Sequence, residues 1–367
     1  MSKTVQYVLF YSVFQCVFLG VHLYVYLRLK TLLAFLQPKV FLIVFIVLAL
    51  SFPVCTLLEK FVANSFTMML YAVCSVWLGI LLLLLCALVV YEPVRLLLPA
   101  ALHKTGIVMV SVVLLAACYA LINAMFITVT PVSVPLAHLH KTLRVVHLSD
   151  IHVGTIHNTG YLTRIVDKVN ALNPDMVLIT GDFFDGIGKI TRKTVEPLNR
   201  LRAKTFFTMG NHEIYFDADN VSKLLEYTNV VVLRNEVTEY RGLQIVGIDS
   251  PRRDDRKDNP VLEQLYMAGN RPTVLMYHPP VGLEDAQKAG IHLQLSGHTH
   301  NGQLFPFNLP TKLFYPHMYG LHRIGDMYLY VTSGAGTWGP PMRLGSRNEI
   351  ALLHLVPEQS VQKSTNR

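Results

Sequence analysis

Five short motifs hold the residues best able to do chemistry: Asp150-Ile151-His152, Gly181-Asp182, Gly210-Asn211-His212-Glu213, His278 and Gly297-His298-Thr299-His300. Their donors are carboxylate, amide and imidazole, with no sulfur. That set suits Mn, Fe or Zn and argues against Cu(I) or an iron–sulfur cluster. Seven candidate ligands (Asp150, His152, Asp182, Asn211, His278, His298 and His300) are too many for one tetrahedral ion. They suit two divalent ions sharing a carboxylate, which together can clamp the attacking and leaving oxygens of a phosphoryl displacement.

Elements that place such residues must end where they begin, and the apolar runs do this. Leu143–Ser149, Met176–Thr180, Thr205–Met209, Leu243–Ile248, Val274–Tyr277 and Leu293–Ser296 read as buried strands. Asn158–Leu172, Thr191–Leu201 and Asp219–Tyr227 read as helices. Tyr328–Thr332 and Ile350–Leu355 read as late antiparallel strands. Strands alternating with helices predict an α/β domain. Each motif then lies just past a strand end, where open α/β sheets bind ligands. His147 and His354 fall inside strands and read as packed side chains.

The charge is uneven along the 367 residues. Residues 1–130 hold 7 Lys+Arg and 2 Asp+Glu, against 25 and 22 in residues 131–367. The apolar third contains four runs, at about 5–27, 40–58, 68–91 and 106–127, each close to the 20 or so residues of a membrane-crossing helix. The first is too long for a signal-peptide core. All five cysteines lie in this third, so the polar part has no disulfide framework or thiolate site. The expected organisation is a transmembrane helical region over 1–127, a Pro-containing linker over 128–142, the polar domain over 143–356 and a polar tail over 357–367. No basic cluster marks the folded domain, so no nucleic-acid partner is expected. The two loops opposite the polar domain carry a slight excess of Lys and Arg. This leans the domain to the extracytoplasmic or lumenal side, and the sequon Asn220-Val221-Ser222 is compatible with that side.

The five motifs in this order resemble the calcineurin-like metallophosphoesterases, over about residues 143–355. The stretch Ser333-Gly334-Ala335-Gly336-Thr337-Trp338-Gly339-Pro340-Pro341-Met342-Arg343 resembles the membrane-associated branch of that family. The resemblance implies two packed β-sheets flanked by helices, in α/β/β/α order. It implies that Asp150, His152 and His300 bind a first metal, that Asn211, His278 and His298 bind a second, and that Asp182 bridges both. It gives His212 the role of contacting the phosphate and protonating the leaving oxygen, with Asn211 also touching the phosphate. The chemistry is compatible with this. A hydroxide bridging two metals is a nucleophile at neutral pH, and an imidazole is suited to general acid work. Asn301 departs from the pattern, standing where many relatives have Gly, but it removes no ligand.

The expected function is therefore an integral membrane hydrolase acting on a phosphate mono- or diester, with a lipid or membrane-linked substrate as one form of it. A metal-binding scaffold without turnover and a transporter with a regulatory domain are the alternatives. For the transporter, His22 is the one ionisable residue within a span, and it reads as packed or interfacial. Glu213 either orients His212 or sits as a carboxylate at a helix N-terminus. Leu304–Leu321 is rich in Phe, Leu, Pro and Tyr and admits two readings: a core-packed insertion, the commoner case, or an apolar lip that meets lipid. Arg252–Asp258 reads as a solvated, mixed-charge loop, and Asp249 ends a strand with an open role.

Overall fold

Four apolar stretches fold as helices in the computed structural model: α1 (Lys3–Leu32), α2 (Pro38–Val62), α3 (Ser65–Leu97) and α4 (Leu102–Ala124). All four are long and apolar enough to cross a membrane. Pro53 and Pro93 lie within α2 and α3. The model describes residues 3–35, 37–97, 102–186, 188, 190–251, 261–265, 269 and 271–358. The whole charged run at 252–258 and the end of the tail lie outside the described residues.

The helical unit packs around aromatic side chains and a few paired polar groups. His22 is buried, with Nδ1 at 2.9 Å from the Phe18 carbonyl oxygen and Nε2 accepting from Trp77 Nε1–H at 3.0 Å. Glu59 accepts from Thr67 Oγ1 at 2.7 Å. Glu92 pairs with Arg28 and Arg95 at 2.6 and 2.7 Å. His22 is thus the packed residue its sequence position suggested.

The remaining elements are β1 (Ile127–Leu136), β2 (Leu143–Leu148), α5 (Thr159–Ala171), β3 (Met176–Thr180), α6 (Arg192–Val195), β4 (Lys204–Thr208), α7 (Asn211–Phe216), α8 (Ala218–Leu225), β5 (Val230–Val232) and β6 (Glu236–Tyr240). They continue with β7 (Leu243–Ile248), β8 (Thr273–Tyr277), α9 (Leu283–Lys288), β9 (Leu293–Ser296), α10 (Asn308–Phe314), β10 (Gly320–Ile324), β11 (Met327–Val331) and β12 (Asn348–Pro357). They build two six-stranded sheets, ordered β1-β12-β2-β3-β4-β5 and β10-β11-β9-β8-β7-β6. In the first, β2 to β5 are parallel. In the second, β7, β8, β9 and β11 are parallel.

The β-branched runs explain the layers. Val145, Met176, Leu178 and Phe206 from the first sheet pack against Ile245, Val274, Met276 and Leu295 from the second. The other face of the first sheet is covered by Tyr161, Leu162, Ile165 and Val169 of α5 and Val221 and Leu225 of α8. Ala286 of α9 joins the cluster on the second sheet's outer face. This is the α/β/β/α arrangement expected. α5 starts at Asn158, whose Oδ1 accepts the Gly160 and Tyr161 N–H groups, a cap worth about 1 kcal/mol.

Four sequence expectations need correction. Residues 127–136, read as the end of a span and part of a linker, form β1, paired in parallel with β12. Its alternating Ile-Thr-Val-Thr pattern is strand-like, and Pro131 and Pro135 are tolerated because β1 is an edge strand. The helix expected over 191–201 is only α6 followed by a 3₁₀ turn at Glu196–Arg200, which contains Pro197. The two late strands are not simply antiparallel. β11 runs parallel to β9, and β12 is antiparallel to β2 but parallel to β1. Within Leu304–Leu321 the core-packed reading holds for Leu304, which is buried, and for Leu321, which packs on the core, but not for α10, which buries none of its residues.

Candidate metal centre

The parallel strands β2, β3, β4, β8 and β9 all deliver their C-terminal ends to one place. Ligand candidates 148 residues apart in sequence meet there. His300 Nε2 lies 3.3 Å from Asp150 Oδ1 and 3.1 Å from His152 Nε2, and His152 Nε2 lies 4.0 Å from the same carboxylate oxygen. Beside them, His278 Nε2 lies 3.0 Å from Asp182 Oδ2. His298 Nδ1 lies 2.9 Å from Asn211 Oδ1 and 3.3 Å from His278 Nε2. Asp150, His152 and His300 thus form one cluster, while Asp182, His278 and His298 form a second joined by Asn211. All seven residues named from the sequence are brought together.

The backbone is bent to do this. Asp150, His152, Asp182, His298 and His300 all have positive φ, between 47° and 70°. Non-glycine residues rarely hold this conformation, and it concentrates at functional sites. Gly297 permits the closest approach: a Cβ there would lie 2.1 Å from Asp150 Oδ2. The His298 N–H then donates to Asp150 Oδ2 at 3.0 Å, joining the ends of β2 and β9.

Glu213 settles its two readings as a clamp. Its carboxylate is fully buried and accepts four backbone N–H groups, from Asp182, Phe183, Phe184 and Gly210, at 2.8–3.0 Å. It caps the start of α7 and fixes the loop carrying Asp182 to the loop carrying Asn211. Burial and the nearby Asp182 push its carboxyl up to about 7, against the pull of those N–H donors. His212, next to it, donates its backbone N–H to Asp182 Oδ1 at 2.9 Å. Its ring Nδ1 lies 3.2 Å from the Asp185 carbonyl oxygen and its Nε2 lies 4.0 Å from Asp182 Oδ2.

His278 tests whether a cation fits. Its Nδ1 lies 2.7 Å from the Thr180 carbonyl oxygen, which can only accept, so Nδ1 carries hydrogen. Its Nε2 faces a carboxylate, which also only accepts. The pocket therefore calls for positive charge at Nε2. Burial opposes that charge, yet Asp182 and Asp150 raise the His278 pKa to about 10. Despite burial, His278 in turn holds the Asp182 carboxyl well below its usual range. His152 and His300 are pushed the other way, well below the ordinary histidine range, by burial and by neighbouring imidazoles. His298 falls to about 3 for the same reasons. His152 Nδ1 is buried with no hydrogen-bond partner among the described residues. Lone pairs from neutral imidazoles and carboxylates converging on two points fit divalent cations bound by nitrogen and oxygen.

Comparison with known proteins agrees with this geometry. Residues 143–302 match the family model described as calcineurin-like phosphoesterase. Over these residues the chain is similar to calcineurin-like phosphoesterases. Proteins named "Transmembrane protein with metallophosphoesterase domain" from Bos taurus and Danio rerio are each 36% identical to it. They align over 62% and 64% of this chain and 56% and 59% of their own length. An "Uncharacterized metallophosphoesterase" from Helicobacter pylori (strain ATCC 700392 / 26695) is 35% identical over 60% of this chain and 61% of its own length. The match thus spans about three-fifths of these relatives.

Sequence reading missed several residues around this candidate centre. Asp185 lies with Oδ1 3.7 Å from His152 Nδ1, and with His152 and His212 it forms a third cluster of ligand-type groups. Its one available signal was its place three residues after Asp182 in the same strand-end loop. Burial raises its carboxyl to about 6. Tyr315 Oη lies 2.9 Å from His298 Nε2. Arg343 is fully buried and donates to the carbonyl oxygens of His300 and Ser333 at 2.8 and 2.7 Å and to Asn348 Oδ1 at 2.9 Å. It thereby ties the His300 loop to the segment before β12. Asp249 does not join the centre; it pairs with Arg234 Nε at 2.9 Å.

Proposed function

We propose that this chain is an integral membrane phosphoesterase that hydrolyses a phosphate mono- or diester with two divalent cations. Asp150, His152 and His300 would hold one cation; Asn211, His278 and His298 would hold the other; Asp182 would serve both. When bound, such a pair supplies a water of lowered pKa and a positive field for the phosphate. Asp182 offsets the repulsion between the cations. Tyr315 Oη, 2.9 Å from His298 Nε2, would take the Nε2–H of a His298 ring whose Nδ1 served as a ligand. The Asp185 carbonyl oxygen is placed to take the Nδ1–H of His212, leaving Nε2 to hold the proton given to the leaving oxygen. The His212 side chain keeps 19% of its surface exposed, so it can meet an arriving substrate. Asn211 is close enough to the same point to touch the phosphate.

The observation that carries this reading is His278, held between a carbonyl and a carboxylate so that its outer nitrogen faces a place for positive charge. The four apolar helices and the names of the relatives support membrane integration. The Lys and Arg excess supports an extracytoplasmic or lumenal domain.

The test is hydrolysis of a chromogenic monoester and a chromogenic diester by the full chain, with Mn, Zn or Fe supplied. The full chain is needed because a cut at residue 131 would divide β1. Asp182→Asn should lower the rate by roughly 10³-fold or more, since two cations supply several kcal/mol and each 1.36 kcal/mol is a factor of ten. Unchanged hydrolysis in that variant would contradict the reading.

A further inference from the structure

α10 is anchored like part of the centre but exposed like a docking surface. Leu309, Leu313 and Phe314 are 58%, 83% and 78% exposed, and Phe305 just before them is 51% exposed. Both ends are nevertheless fixed. Gly302, two residues after His300, has φ +72°, and a Cβ there would lie 2.3 Å from Asn308 Cα, so the helix start approaches a glycine closely. Tyr315, the residue after α10, reaches His298 Nε2. Gln303 exchanges two hydrogen bonds of 2.9 Å with the Trp338 backbone. This brings a 57% exposed indole to the same rim, edge-on to the His212 ring at 6.1 Å.

Large apolar side chains grouped at one place in water mark an interaction site. The rest of the chain indicates the partner. Four helices are long and apolar enough to cross a bilayer, and only Met125 and Phe126 lie between α4 and β1. The domain is thus tethered to the last apolar helix through two residues. α10 carries one charged residue, Lys312. Bulky apolar and aromatic groups with a long cationic stem suit the interface between acyl chains and headgroups.

We infer that α10 is a bilayer-contact element that brings a lipid-borne phosphoester to the metal centre. This rests on the proposed phosphoesterase reading and names its substrate class. Leu309, Leu313 and Phe314 enter the membrane surface, while Tyr315 and Gly302 keep the helix in register with His298 and His300.

Two measurements on the full chain in phospholipid vesicles test it. A photo-cross-linking residue at position 313 should form adducts with phospholipid; adducts with protein alone, or none, would overturn the inference. The double variant Leu313→Glu with Phe314→Glu should lose about tenfold or more of the hydrolysis of a vesicle-borne lipid phosphoester while keeping its rate on a soluble chromogenic ester. No loss on the lipid, or an equal loss on both substrates, would overturn it. If the wild type hydrolyses neither substrate, the phosphoesterase reading fails, and the cross-link alone still decides the role of α10.

Discussion

The helical unit and the metallophosphoesterase domain both bury polar groups, but in opposite ways. In the helices the buried histidine and the carboxylates meet their complements. His22 has a carbonyl on one nitrogen and an indole N–H on the other, Glu59 has a hydroxyl, and Glu92 has two guanidinium groups. In the domain, like meets like: imidazole nitrogens lie 3.1 and 3.3 Å apart, and His278 sits between two acceptors. The first pattern pairs these ionisable groups and ties helices together. The second leaves like groups facing one another, and incompleteness of this kind marks a candidate cation site where burial alone does not.

That contrast can be broken by substitution. The largest of these expected effects is for His212→Ala, which should cost about 10²–10⁴ in rate, the usual contribution of a general acid, with metal content unchanged. Metal loss in that variant would show that His212 is a ligand. Asp185→Asn should be milder, because it acts through the orientation of His152: metal affinity measured by calorimetry should fall about 10–100-fold. Unchanged affinity would leave Asp185 outside the centre. His22→Leu is the control from the other region. It breaks a complete pair, so it should lower the thermal midpoint while leaving the rate within about twofold, less than 0.5 kcal/mol of barrier. A larger loss of hydrolysis would mean that the helices take part in the reaction.

What the sequence made legible follows from the range of the forces involved. β2, β3, β4, β7, β8 and β9 are short, mainly apolar runs buried almost throughout, so composition identifies them. The ligands stood out because strand ends gather them and their side chains have few other uses. β1 was hidden because prolines are tolerated on an edge strand and the same residues read as a linker. β5 is only three residues long and gives no periodicity. Tyr315 and Asp185 act through spatial neighbours, and spacing along the chain does not show which ring a hydroxyl or carboxylate will face. The positive φ of Asp150, His152 and Asp182 is likewise a product of the assembled sheet ends. The two readings of the α10 segment stayed open because an apolar run can be buried or exposed, and only the fold reveals that α10 is not buried.

The central claim is that the two clusters are two cation sites sharing Asp182. The direct measurement is metal content per chain for the purified full-length protein beside Asp150→Asn and His278→Ala. Two cations in the wild type, and the loss of one in each variant, is the predicted result. A folded wild-type protein that binds one cation or none after loading with Mn, Zn or Fe would contradict it.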